Sequence, residues 1–124
     1  MITELSVERT PDHCLDQLLE LNGEVLVVSE DGRYWVKFEV RRVPASSARP
    51  HGLNYSLTLH GPENERLVGF DNSHPVLPTK RGEPQDHRHR REAVKPYSYN
   101  DAGALLKEFW TAVDAFLEEA GVRR

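Results

Sequence analysis

Read from the N-terminus, apolar residues first recur in a helical period at Leu15, Leu18 and Leu19, which would share one face of a short helix. Thr10 suits the N-cap of that helix, Pro11 its first helical position, and Gly23 its end. The period then changes. Val25-Leu26-Val27-Val28 is a β-branched run, and Glu30-Asp31-Gly32-Arg33 follows it. Asp-Gly is a strong hairpin signal, because both central residues of a type I′ turn need positive φ. Beyond the turn Tyr34, Val36, Phe38 and Val40 alternate with Trp35, Lys37, Glu39 and Arg41, the pattern of a half-buried strand.

Residues 44 to 52, rich in Pro, Ser and Gly, read as a loop. A second hairpin is then expected. Leu53, Tyr55, Leu57 and Leu59 alternate with polar neighbours, Gly61-Pro62-Glu63-Asn64 makes the turn, and Glu65 to Phe70 returns. Residues 71–97, with four prolines, carry no regular period and read as a long functional or mobile loop. The last element is an amphipathic helix. Ser98 and Asp101 fit a capping box as N-cap and N3, and Ala102, Leu105, Leu106, Phe109, Val113, Phe116, Leu117 and Ala120 form its apolar stripe. Gly121 suits its end.

The expected fold is therefore α+β. An antiparallel meander of about four strands, in two hairpins, packs against a long C-terminal helix, with a short helix before the sheet. Residues 1–124 read as one domain, with 1–10 flexible.

Composition narrows the function classes. No apolar run reaches the roughly 20 residues that a membrane span needs, and no signal-peptide pattern opens the chain. The expected compartment is the cytoplasm. A single cysteine, Cys14, forms neither an internal disulfide nor a cysteine-based zinc site. The net charge of −4 argues against a protein that coats nucleic acid indiscriminately. Residues 80–95 nevertheless carry Lys80, Arg81, Arg88, Arg90, Arg91 and Lys95 against Glu83, Asp86 and Glu92, a local excess suited to an anionic ligand. Phosphate-loop and dinucleotide fingerprints are absent.

Candidate chemistry concentrates in Phe70-Asp71-Asn72-Ser73-His74-Pro75 and Asp86-His87-Arg88-His89-Arg90-Arg91. Histidine moves protons near neutral pH, arginine grips phosphate, and an aspartate beside a histidine fixes its tautomer. These are the parts of a metal-independent phosphodiester cleavage site. Asp71, His74, His87 and His89 are the catalytic candidates, and Asn72, Arg88, Arg90 and Arg91 the substrate-binding ones. A metal reading uses the same residues: His87 and His89, two apart on an extended segment, would join His74 and Asp71 around zinc or manganese. The helical His-Glu-x-x-His motif is missing, and the reading adopted assigns no metal and no cofactor. A solvated basic loop is the plain alternative. Trp35, on the polar side of its strand, is an aromatic suited to a partner surface.

The order of these features resembles the TumE family of bacterial toxins over roughly Val25 to Leu117. The resemblance rests on the Asp31-Gly32 hairpin, Leu53-Asn54-Tyr55-Ser56-Leu57, the Asp71-Asn72-x-His74 element, the His87-Arg88-His89 element, and the Ser98-capped helix with Phe109. The second histidine element in the family tends to read Pro-His-His-Lys-His, whereas Asp86 stands here for the first histidine. The resemblance implies the toxin of a type II toxin–antitoxin module, encoded beside a helix-turn-helix antitoxin that neutralises it. It implies growth inhibition through RNA, with Asp71, Asn72, His74, His87 and His89 carried over as site residues and Arg88 as phosphate binder. The competing expectation is a non-catalytic interaction domain. Exposed sheet edges leave a homodimer open.

Overall fold

In the computed structural model, the described residues are 14–72 and 85–124. Helix α1 (Leu15–Glu20) leads into strands β1 (Val25–Val27), β2 (Trp35–Arg42), β3 (Leu53–His60), β4 (Arg66–Asp71), β5 (His87–Arg90) and β6 (Ala93–Pro96), and helix α2 (Ala102–Glu119) closes the order. The six strands form one antiparallel sheet in the order β1-β2-β3-β4-β5-β6.

The α+β meander and its terminal helix agree with the sequence, but the expected count of about four strands is wrong. The segment read as an irregular loop contains β5 and β6. Both are only four residues long, and β5 reads His-Arg-His-Arg, with buried and exposed positions alternating. Its buried side carries histidines instead of aliphatic residues, so a search for apolar alternation passes over it. A tight turn joins the two strands, with Arg91 in the left-handed region at φ 53°.

Three local expectations also change. Asp31-Gly32 does not make a two-residue type I′ turn, because Gly32 takes positive φ and Asp31 does not. The connection runs from Val28 to Tyr34. Ser29 organises it, with its hydroxyl donating to Asp31 and accepting from the backbone N–H of Arg33 and Tyr34. Helix α2 is capped by Asp101 rather than Ser98, the Asp101 carboxylate accepting from Ala104 N–H at 2.7 Å. The early helix begins at Leu15, and the proposed Thr10 cap and Pro11 lie outside the described residues.

One face of the sheet packs on α2. Its core includes Phe38, Leu57 and Phe70, cross-strand partners in one row, against Leu105, Phe109, Val113, Phe116 and Leu117. Each of these five helix side chains contributes roughly 1.5–3 kcal/mol by leaving water. Partners across an antiparallel ladder share a face. The same row continues through Arg88 and Lys95. The neighbouring rows, on the opposite face, run Lys37-Thr58-Gly69-His89-Val94 and Glu39-Ser56-Asp71-His87-Pro96.

Candidate functional site

The period of two along β5 divides the chemistry between the two faces of the sheet. His87 and His89 point away from α2 and meet Asp71, which stands directly opposite His87 on β4. Arg88 and Arg90 point to the helix side. The Arg88 guanidinium lies 4.8 Å from the Phe70 ring, and Arg90 stacks over Phe116 and pairs with Glu119. Arg91 also lies over Phe116. With His89, Ala93, Lys95 and Glu119, these arginines line a cleft of about 600 Å³. The structure thus gathers Asp71, His87 and His89 and turns the side chains of Arg88, Arg90 and Arg91, the arginines expected to bind substrate, to the other side of the sheet. His74 falls outside the described residues.

The three gathered side chains are between 1% and 6% exposed. His87 Nε2 lies 2.9 Å from Asp71 Oδ1, and His89 Nε2 lies 3.3 Å from Oδ2. The two imidazoles meet edge to face, 4.7 Å between centroids. Although these are ion-pair distances, neither Nε2 makes a hydrogen bond of acceptable angle.

Each outer ring nitrogen is bound differently. His87 Nδ1 is 2.7 Å from the Gln85 carbonyl, which only accepts, so His87 carries a proton on Nδ1. The Arg66 guanidinium, which only donates, reaches His89 Nδ1 at 3.1 Å, so this nitrogen accepts and the neutral ring is protonated at Nε2. Both Nε2 atoms face the one Asp71 carboxylate, His87 with its Nδ1 proton committed to Gln85 and His89 with its Nδ1 accepting from Arg66.

Burial, reinforced by the Arg66 charge and only partly opposed by Asp71, holds His89 below the usual histidine range. Burial does the same at His60. Both rings bind protons less well in the folded chain than in the unfolded one. Their contribution to stability is complete above the ordinary histidine value of about 6.5 and is lost as pH falls below it. The urea midpoint is expected to drop between pH 7.5 and 5.5, and His60→Gln with His89→Gln should flatten that drop. An unchanged slope in the double variant would contradict this origin.

Arg66 was not anticipated, for a geometric reason. Simple alternation would put it beside Val68 and Phe70, but a register shift between Leu59 and His60 makes His60 pair with Arg66 and buries the extra Leu67. The bulge turns Arg66 onto the histidine face. Gly69 leaves room for it there, since a Cβ at that position would meet Arg66 Cδ at 3.2 Å and His89 Cδ2 at 3.4 Å. No feature of the sequence marks the bulge.

Asn72 has its amide committed to β3, accepting from Tyr55 N–H at 3.0 Å and donating to the Leu53 carbonyl at 2.8 Å. Asp86 accepts a buried hydrogen bond of 2.6 Å from the Tyr55 hydroxyl. Burial, then the Asp86 charge and this hydrogen bond, hold the Tyr55 phenol far above the usual tyrosine range.

Among the described residues, Asp71, His87 and His89 form a group able to hold a metal ion, with ligand atoms within 4.8 Å of one another. The His87 Nδ1–carbonyl contact suits a metal ligand, because it leaves Nε2 free to coordinate. The Arg66 contact does not suit one, since it keeps the His89 proton on Nε2 and sets a cation beside the site. No helix among the described residues is long and apolar enough to cross a membrane.

No curated protein and no solved structure gives a match to the chain. The family model described as Toxin TumE matches residues 7–117, covering both histidine elements and most of α2. The chain belongs to the TumE toxin family.

Proposed function

We propose that this toxin-family protein arrests growth by cleaving RNA through metal-independent proton transfer at Asp71, His87 and His89, and that an antitoxin partner silences it. The observation that carries the reading is the buried cluster itself, with two imidazoles in different protonation environments against one carboxylate. In the reaction, neutral His89 takes the proton of a ribose 2′-hydroxyl on Nδ1, its unprotonated nitrogen, as that oxygen bonds to phosphorus and the Arg66 guanidinium turns from Nδ1 to the phosphate. His87 gives its proton to the 5′-oxygen as the P–O5′ bond breaks, leaving a 2′,3′-cyclic phosphate and a 5′-hydroxyl. Asp71 holds the His87 ring and its charge. Arg66, already at His89, neutralises the phosphorane oxygens. Asn72 acts as a positioning residue through β3. Arg88, Arg90 and Arg91 bind phosphates from the cleft on the helix side, and His74 keeps the catalytic role that the family resemblance gives it.

The side chains of the cluster are closed from solvent, so cleavage requires this face to open to the substrate. The same closure favours a second reading, a non-catalytic toxin that acts by binding, with the cluster as a polar clasp between β4 and β5. Induced expression in bacteria, with and without the neighbouring gene, separates the two when total RNA and purified RNA are also assayed in excess chelator. The first reading expects growth arrest relieved by the neighbour or by His74→Ala, with cyclic-phosphate products that survive chelation. Arrest with intact RNA would move the function to the second.

A further inference from the structure

Beside the histidine cluster, the same sheet face carries an aromatic pair that the cleavage chemistry leaves unused. Trp35 stands opposite His60 across β2 and β3, and their rings stack at 4.3 Å with planes 11° apart. His60 is held from behind, its Nε2 2.9 Å from the Thr58 hydroxyl and its Nδ1 3.4 Å from the Asn64 carbonyl. Trp35 itself is half-buried, and on its other side the cross-strand neighbour is Val27, 62% exposed.

The pair continues directly into the site. His60 faces Arg66 across β3 and β4, and Arg66 reaches His89. Lys37, its side chain 43% exposed, stands on the same face two residues from Trp35. We propose that Trp35, backed by His60, is a stacking platform for a base of single-stranded RNA, which leads the adjoining phosphodiester past Lys37 and Arg66 to the histidines. The proposal rests on the RNA-directed reading above.

Three observations favour this occupant over a protein side chain. Indole over imidazole offers a rigid flat surface, and base–aromatic stacking tolerates any base sequence. Between Trp35 and His89 the face carries Arg66, in the row of Trp35 and His60, and Lys37, in the row of His89 and paired with Glu39, cations that a phosphate backbone would meet and an apolar protein contact would not need. Three strand spacings of about 4.8 Å separate β2 from β5, about 14 Å in all, which a short single-stranded segment spans. Paired bases are not free to stack in this way, so the platform selects unpaired RNA. Burial and the neighbouring Lys37 and Arg66 charges keep His60 neutral, which lets the rings stack without desolvating a charge.

The chain has two tryptophans, so Trp110→Phe leaves Trp35 as the reporter. That protein is titrated with an uncleavable 2′-O-methyl oligouridylate while binding is followed independently by anisotropy of a labelled strand. Saturable quenching that tracks binding is expected, with affinity reduced about tenfold or more by Trp35→Ala and largely retained by Trp35→Phe. A duplex of the same length should bind more weakly than the single strand. Unchanged Trp35 emission on binding, or equal affinity of the alanine variant, would overturn the platform even if the protein cleaves RNA. Emission that responds only to protein concentration would overturn it in favour of a contact between copies. Quenching without any cleavage would leave the platform standing and remove the catalytic reading.

Discussion

Replacing His87 with glutamine is expected to slow RNA cleavage by about 10²–10⁴-fold, the usual worth of a positioned general acid. Glutamine keeps much of the side-chain volume, and its amide still reaches polar neighbours, so the loss should reflect proton donation rather than collapse. A substrate with a 5′-bridging sulfur needs no acid to expel its leaving group. It should restore most of the His87→Gln rate and little of the His89→Gln rate, because His89 acts on the attacking oxygen. Thermal midpoints of both variants within a few degrees of the parent would show that β4 and β5 remain paired. If both variants cleave RNA at the parental rate, the cluster is a structural clasp and the catalytic assignment falls. If sulfur rescues both equally, the assignment of acid and base falls instead.

The second large effect concerns stability. Phe109→Ala should cost about 3–5 kcal/mol. The ring is fully buried, edge-on to Phe38 at 5.7 Å and to Phe70 at 6.1 Å, and touches Trp110. With Leu105, Val113, Phe116 and Leu117 it packs α2 on the sheet, and its truncation leaves a cavity between the helix and the central strands. The loss is a large share of the roughly 5–15 kcal/mol that keeps a domain folded. Urea unfolding measures it directly. A cost below about 1 kcal/mol would mean that α2 is held elsewhere on the sheet.

The cation excess that the sequence shows around β5 does not act as one patch. Arg88 and Arg90 share four consecutive residues with His87 and His89, yet the pleat sends them to a face occupied by α2, where they cover Phe70 and Phe116. The guanidinium that meets the histidines is instead that of Arg66, 23 residues earlier. Asp86, expected above as a departure from the family pattern, accepts from Tyr55 and ties the chain entering β5 to β3 across β4.

Local periodicity determined much of this protein. The alternation from Tyr34 to Val40, the alternation from Leu53 to Leu59 and the helical stripe from Ala102 to Leu117 are each set within one segment, where a side chain's direction depends only on its own backbone. Asp71-Asn72 and His87-Arg88-His89 are likewise short runs within one segment each, legible as candidates from their residue types. Tertiary structure alone decided the rest. Strand β5 exists because its N–H and C=O groups pair with β4, a choice that its polar residues do not advertise. Arg66 reaches His89 because a bulge inserts Leu67 and reverses the facing of a single residue. Register and bulges are set by hydrogen bonds between distant segments, and a one-residue shift exchanges the two faces. For that reason the chain names the chemical groups, and only the folded sheet selects which of them meet.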